Sequence, residues 1–241
     1  MRLKLTVAYD GTAFRGWARQ PGERTVEDVL TQAIENVYRD RSDVAVAGRT
    51  DTGVHALANV VSVEVGAGPP LERAAEALNA ALPQDVAVVS AVEAPPAFHA
   101  RHSARSRSYR YRIWRRQTRS PFEVHRSLWH PRPLERQKLD AAAAMIVGEH
   151  DFRAFTPTDT QHHVFVRVVD DARWRDHGDW VDFEITADSF LRHMVRTLVG
   201  TMLEKEPDEL IDLLAGAPRS AAGATAPAAG LYLVSVGYDR A

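Results

Sequence analysis

Val44-Ala45-Val46-Ala47-Gly48-Arg49-Thr50-Asp51-Thr52-Gly53-Val54-His55-Ala56 carries the chain from a short apolar run into a polar segment closed by two glycines. Glycine admits positive φ and close approach of another backbone, so Gly48 and Gly53 mark a tight loop at a strand end, with Asp51 at its centre. Upstream, Leu3, Leu5, Val7 and Tyr9 alternate with Lys4, Thr6 and Ala8, which predicts a strand with one apolar face, ended by Asp10-Gly11. Thr25 followed by Asp28 has the form of an N-cap box. Val26, Val29, Leu30, Ala33, Ile34, Val37 and Tyr38 then recur at helical spacing. Downstream, Val61, Val63 and Val65 alternate in a strand, Leu71 to Leu82 make a helix stopped by Pro83, and Val86, Val88 and Val92 lie in another strand. The order is β-α-β-β-α-β, a ferredoxin-like or RRM-like unit.

A similar order recurs further on. Tyr109, Tyr111 and Ile113 alternate in a strand; Leu134, Leu139, Ala143 and Ile146 mark a helix ended by Gly148; Val164, Val166 and Val168 alternate in the next strand. Arg173 to Arg175 and Val181, Phe183 and Ile185 flank a turn at His177-Gly178-Asp179. A helix is expected from about Ser189 to Leu203, a short one after Pro207, and a closing strand through Leu231, Leu233, Val234 and Val236. The Ala/Gly/Pro-rich stretch from Ala215 to Ala229 is low in complexity and, by composition, could be a flexible linker. The expected fold class is α+β, with two βαββαβ halves, 1–100 and 101–241. They would share a central, mostly antiparallel sheet with a cleft between them.

With 241 residues, 45% of them hydrophobic, the chain can bury a core without staples, and its lack of cysteine excludes disulfides, thiolate metal sites and cysteine nucleophiles. No segment approaches the ~20 apolar residues that span a bilayer, so a cytoplasmic protein without a membrane partner is expected. The formal net charge is −2, yet Arg101, Arg105, Arg107, Arg110, Arg112, Arg115, Arg116 and Arg119 follow one another with no acid among them. Such a concentration is the footprint of phosphate contacts, and Tyr109, Tyr111 and Trp114 among the arginines could offer bases a stacking surface. His99 and His102, and His162 with His163, are spaced without the carboxylates of a zinc motif, so no metal is expected.

The segment Gly48-Arg49-Thr50-Asp51-Thr52-Gly53-Val54-His55-Ala56 resembles the active-site motif of the tRNA pseudouridine synthase A (TruA) family. The resemblance continues in order through Tyr9-Asp10-Gly11-Thr12, Gly16-Trp17 and Gln20, then Phe98-His99-Ala100-Arg101, Tyr109-Arg110-Tyr111, His150-Asp151-Phe152, His193-Met194-Val195-Arg196 and Gly230-Leu231-Tyr232-Leu233. It implies a fold of the pseudouridine synthase type and isomerisation of uridine to pseudouridine at positions 38, 39 and 40 of the tRNA anticodon stem-loop. It also implies a homodimer and no cofactor. Asp51 is matched to the catalytic nucleophile, with Tyr109 and Arg196 as its catalytic companions. Arg49, Arg15, Trp17, His55, Arg110 and Leu231, with Tyr109 again, would bind the substrate. Ala18 stands where the family usually has glutamine, so no contact from a glutamine there is expected.

The chemistry suits those residue types. Breaking the N1–C1′ bond makes C1′ cation-like, and a carboxylate can either attack it or remove the C2′ proton; the sequence leaves both routes open. An arginine near Asp51 would hold it ionised, and Arg196 shares a helical stripe with Ser189, Arg192 and His193 beside an apolar face. A phenol can stack on uracil and relay a proton; Tyr111 has the same parity as Tyr109, and only the resemblance selects Tyr109. Arg49 would help hold the nucleotide out of its stack. Two other classes stay in view: a non-catalytic RNA-binding protein with two RRM-like halves, and a nuclease, which would need clustered acids and a divalent metal.

Overall fold

The structure is a computed structural model and describes residues 1–238. Its elements, in chain order, are β1 (Arg2–Tyr9), α1 (Val26–Val37), β2 (Ala45–Val46), β3 (His55–Glu64), α2 (Leu71–Ala81), β4 (Val86–Glu93), β5 (Ala104–Trp114), β6 (Leu128–Trp129), α3 (Arg136–Ile146), β7 (Gly148–Asp151), β8 (Val166–His177), β9 (Trp180–Ala187), α4 (Met194–Glu204), α5 (Leu210–Leu214) and β10 (Leu231–Tyr238). The chain forms two compact units. One is Met1–Arg105 together with the C-terminal residues from Tyr232; the other is Ser106–Leu231. No helix among the described residues is long and apolar enough to cross a membrane.

In the first unit the strand order is β4-β1-β3, antiparallel throughout, as expected of the α+β class. The alternation read along Leu3 to Tyr9 is the burial pattern of β1, whose four apolar residues all lie in the core. Thr25 caps α1, its Oγ1 accepting the Asp28 N–H at 3.2 Å, and Val26, Leu30, Ala33 and Ile34 are buried. The free edge of β3 is shared: β10 pairs parallel with His55 and Ala56, while β2 pairs antiparallel with Val61 and Ser62. Pairing and chain order therefore differ for β10, which follows the second unit in sequence but counts with the first from Tyr232 onward.

In the second unit β5-β9-β8-β7 are neighbours, with β5-β9, β9-β8 and β8-β7 antiparallel and β6 parallel to β5. The valines at 166 and 168 and the segment Arg173 to Arg175, read as two strands, are one strand, β8, paired to β9 along its length. Val164, Val166 and Val168 are exposed; the core takes Val169, Ala172 and Trp174, after a register shift between Val169 and Asp171. Gly148 does not simply end α3. It opens β7, at φ 114, where a side chain would be strained.

The expected helix from Ser189 begins late. His193 is left-handed at φ 62, which a right-handed helix cannot contain, so α4 starts at Met194. Ser189, Arg192 and His193 therefore do not share a helical stripe with Arg196. Instead, every residue from Met194 to Met202 is buried except Arg196. The chain 223–226 lies against α4: Gly223 N–H donates to Thr201 Oγ1 at 3.0 Å and Ala226 N–H to the Arg196 carbonyl at 3.1 Å. Gly200 makes this approach possible, since a Cβ there would sit 1.8 Å from the Ala224 oxygen.

Gly200→Ala should therefore destabilise the protein by about 1–3 kcal/mol through overpacking. Elsewhere in a helix the same change adds helical propensity worth ~1 kcal/mol. A lowered denaturant midpoint is the expected sign, read by circular dichroism.

Candidate active site

The Asp51 loop is built from the backbone outward. Trp17 N–H donates to the Thr50 carbonyl at 2.9 Å and Gly53 N–H to the Phe14 carbonyl at 3.4 Å, which ties the loop to segment 14–17 on both sides of Asp51. Val54 N–H reaches the Asp51 carbonyl at 3.1 Å, closing a four-residue turn whose third residue, Gly53, has φ 78. Turns with a positive φ at that position need glycine. Asp51 is half-buried, Arg49 and Thr52 are exposed and Thr50 is buried, so side chains alternate between solvent and interior.

Beneath Thr50 lies a polar network inside the core. The Tyr9 hydroxyl and Thr50 Oγ1 are 2.8 Å apart, and Asn59 Nδ2 donates to the Tyr9 oxygen at 3.2 Å and to the Gly48 carbonyl at 2.8 Å. Tyr9 is 5% exposed and Asn59 fully buried. Burial pushes the Tyr9 phenol up to about 12, because the phenolate would lose its water, while the hydrogen bonds shared with Thr50 and Asn59 oppose the shift. Asn59 was not singled out from the sequence. The available signal was an amide standing directly before the apolar run Val60-Val61.

His55 is also structural in setting. Its Nδ1 accepts the Gly11 N–H at 3.0 Å and stands 3.2 Å from Asp10 Oδ1, and its ring stacks on Tyr232 with centroids 4.7 Å apart. His55 is 3% exposed and Trp17 only 1%, with its ring 5.9 Å from that of Tyr9. Both were expected to meet substrate, but neither offers a face to a base; they support the loop from within. Arg15 is exposed, its Nε 3.2 Å from Glu23.

In the second unit, β5 alternates Arg107, Tyr109, Tyr111 and Ile113 on one face with Ser108, Arg110, Arg112 and Trp114 on the other. Tyr109, Tyr111 and Trp114 are 9%, 0% and 7% exposed, so the arginines are not interleaved with a row of exposed rings, and Tyr109 keeps the largest exposure of the three. Nor does the basic stretch stand clear of acids. Arg110 and Arg112 approach the buried carboxylate of Asp182 at 3.6 and 3.2 Å, Arg115 pairs with Asp176 and Arg116 with Asp179. The acids were missed because they are distant in sequence, and only the β5-β9 and β8-β9 pairings bring them there.

The two tyrosines differ in what their hydroxyls do. Tyr111 donates to the Pro227 carbonyl at 2.8 Å, and burial raises its phenol against the opposing charge of Arg196. Tyr109 packs edge-on against Phe190 with centroids 4.9 Å apart. Arg196 Nε donates to the Ala226 carbonyl at 2.8 Å, while Ala226 N–H donates back to the Arg196 carbonyl, so the guanidinium is aimed by a reciprocal pair. Leu231, at the start of β10, is 6% exposed.

Residues 5–103 and 142–239 match the family model described as tRNA pseudouridine synthase. The chain belongs to this family. A tRNA pseudouridine synthase A of Bacillus subtilis (strain 168) is 40% identical over 247 aligned positions, covering all of both chains. One of Geobacillus kaustophilus (strain HTA426) is 38% identical, covering 99% of this chain and 95% of its own. A third, of Acetivibrio thermocellus, is 37% identical over 98% and 99% of the two chains. The family model skips 104–141, which holds β5, β6 and the first turns of α3.

The raised Tyr9 phenol sets a pH dependence. The unfolded chain's tyrosine ionises near the ordinary value of 10 while the folded one waits until about 12. The contribution of the neutral phenol is therefore fully present below pH 10 and lost as pH rises from 10 to about 12. Unfolding free energy should fall across that window, and less steeply in Tyr9→Phe, as urea titrations at stepped pH would show.

Proposed function

We propose that this chain converts uridine to pseudouridine at positions 38, 39 and 40 of the tRNA anticodon stem-loop, with Asp51 acting at the ribose. Membership of the tRNA pseudouridine synthase family makes it an isomerase of uridine in tRNA. The observation that carries it is the setting of Asp51. A half-buried carboxylate stands on a turn fixed by backbone hydrogen bonds on both sides, flanked by the exposed Arg49. Such fixation suits a group that must meet C1′ or the C2′ hydrogen at close range, since orientation is a large part of the barrier.

Arg196, the one residue between Met194 and Met202 that is not buried, is assigned the counter-charge to the reacting carboxylate. Tyr109 is assigned the stacking on uracil and the proton relay. Its choice over Tyr111 follows the resemblance, and Tyr111 is the more deeply buried of the two, at 0% exposed against 9%. Arg49 and Arg15, both exposed, suit contacts to the RNA backbone. Arg110, held near Asp182, is left a supporting place, and Leu231 an apolar one at the base. A homodimer in the cytoplasm completes the reading. A non-catalytic RRM-like protein would need exposed rings on its strands, and β5 buries all three of its own.

With tRNA carrying tritium at uridine C5, the protein should release tritium without cutting the strand and without added metal. Asp51→Ala should lower that release more than about a thousandfold and leave the Kd for tRNA within about threefold. Bound but unconverted RNA with the parent protein, or cleaved RNA, would overturn the assignment.

A further inference from the structure

We infer that Tyr9, Asn59 and Thr50 form a positioning device for Asp51, in which one buried phenol sets the height of the catalytic turn. The inference rests on the reading of Asp51 given above. Val60 N–H donates to Asn59 Oδ1 at 2.9 Å, which fixes that oxygen and turns Nδ2 the other way. The two Nδ2 hydrogens are then both used, one on the Gly48 carbonyl at 2.8 Å and one on the Tyr9 oxygen at 3.2 Å. Tyr9 accepts from Asn59 and keeps its own hydrogen available for Thr50 Oγ1, 2.8 Å away.

The register of the strands puts these groups in place. Val7 is opposite Asn59 and Tyr9 is opposite Ala56, so β3 carries one residue more than β1 over that interval. A bulge of this kind re-aims side chains, and here it stands directly beneath the loop. Asn59 holds the residue three before Asp51, and Tyr9 holds the residue immediately before it. The amide of Trp17 takes the Thr50 carbonyl, so Thr50 is fixed at both its side chain and its backbone. None of the three side chains need touch RNA, since they are 0–7% exposed; they act through the Asp51 backbone.

A device of this kind affects the reaction step more than tRNA binding, which gives a readout that stability alone would not move. Tyr9→Phe and Thr50→Val should each lower kcat by about ten- to a hundredfold, with KM for tRNA within about twofold of the parent. Thr50→Ser, which keeps the accepting oxygen, should return kcat to within about threefold. The Tyr9→Phe/Thr50→Val double variant should be no slower than the slower single one, since both remove the same bond. Melting curves on every variant give the folded fraction at the assay temperature, by which kcat is corrected. Parental kcat in Tyr9→Phe and Thr50→Val, or a Thr50→Ser as slow as Thr50→Val, would overturn the inference. If Asp51→Ala itself turns over normally, the proposed function fails first; if Asp51→Ala is inactive while the Tyr9 and Thr50 variants are parental, only the positioning role fails.

Discussion

The backbone hydrogen bond from the Trp17 amide to the Thr50 carbonyl at 2.9 Å, together with the one from Gly53 to the Phe14 carbonyl, ties the Asp51 turn to the segment that leaves β1. Gly16, at φ 91, brings that segment close enough for the bond to form: a Cβ there would lie 2.9 Å from the Thr50 oxygen. Trp17 then fills the space under the turn, and Glu27 N–H donates to its carbonyl at 3.1 Å, linking the same stretch to the first turn of α1. Strand, loop, helix and the Asp51 turn are thus consecutive links.

The second unit uses the same economy with a cation. Around α4 every side chain from Met194 to Met202 is buried except Arg196, so the helix has little freedom to rotate. Residues 223–226 cross it at Gly200 and meet Arg196 with both a donor and an acceptor. A long flexible side chain loses several rotamers on fixation, and a guanidinium whose Nε is already engaged has met part of that cost on folding.

Much of this was legible in the sequence because it is written in local periodicity. The alternation of β1, the helical spacing of α1 and the turn at Gly53 each concern neighbours in the chain, and each appears where expected. What could not be read depends on partners far away. The ion pairs to Asp176, Asp179 and Asp182 exist because β8 and β9 return beside β5, and no local pattern announces them. The start of α4 was misjudged because a left-handed histidine has no signature in hydrophobic spacing, and the valines of β8 because a register shift moved the buried face. Within the site, burial divided the motif residues into those facing solvent, such as Arg49, and those beneath, such as Trp17 and His55.

The pairing of Arg110, Arg112, Arg115 and Arg116 with aspartates bears on how the protein senses ionic conditions. Affinity for a polyanion rises at low salt because each new cation–phosphate contact sets free a condensed mobile ion, whose gain in translational entropy drives association. An arginine that already has an internal anion must exchange one partner for another, and the electrostatic return is smaller. The three aspartates thus offset part of the charge of the eight arginines between Arg101 and Arg119, and the stretch draws a polynucleotide less strongly than its arginine count alone would suggest.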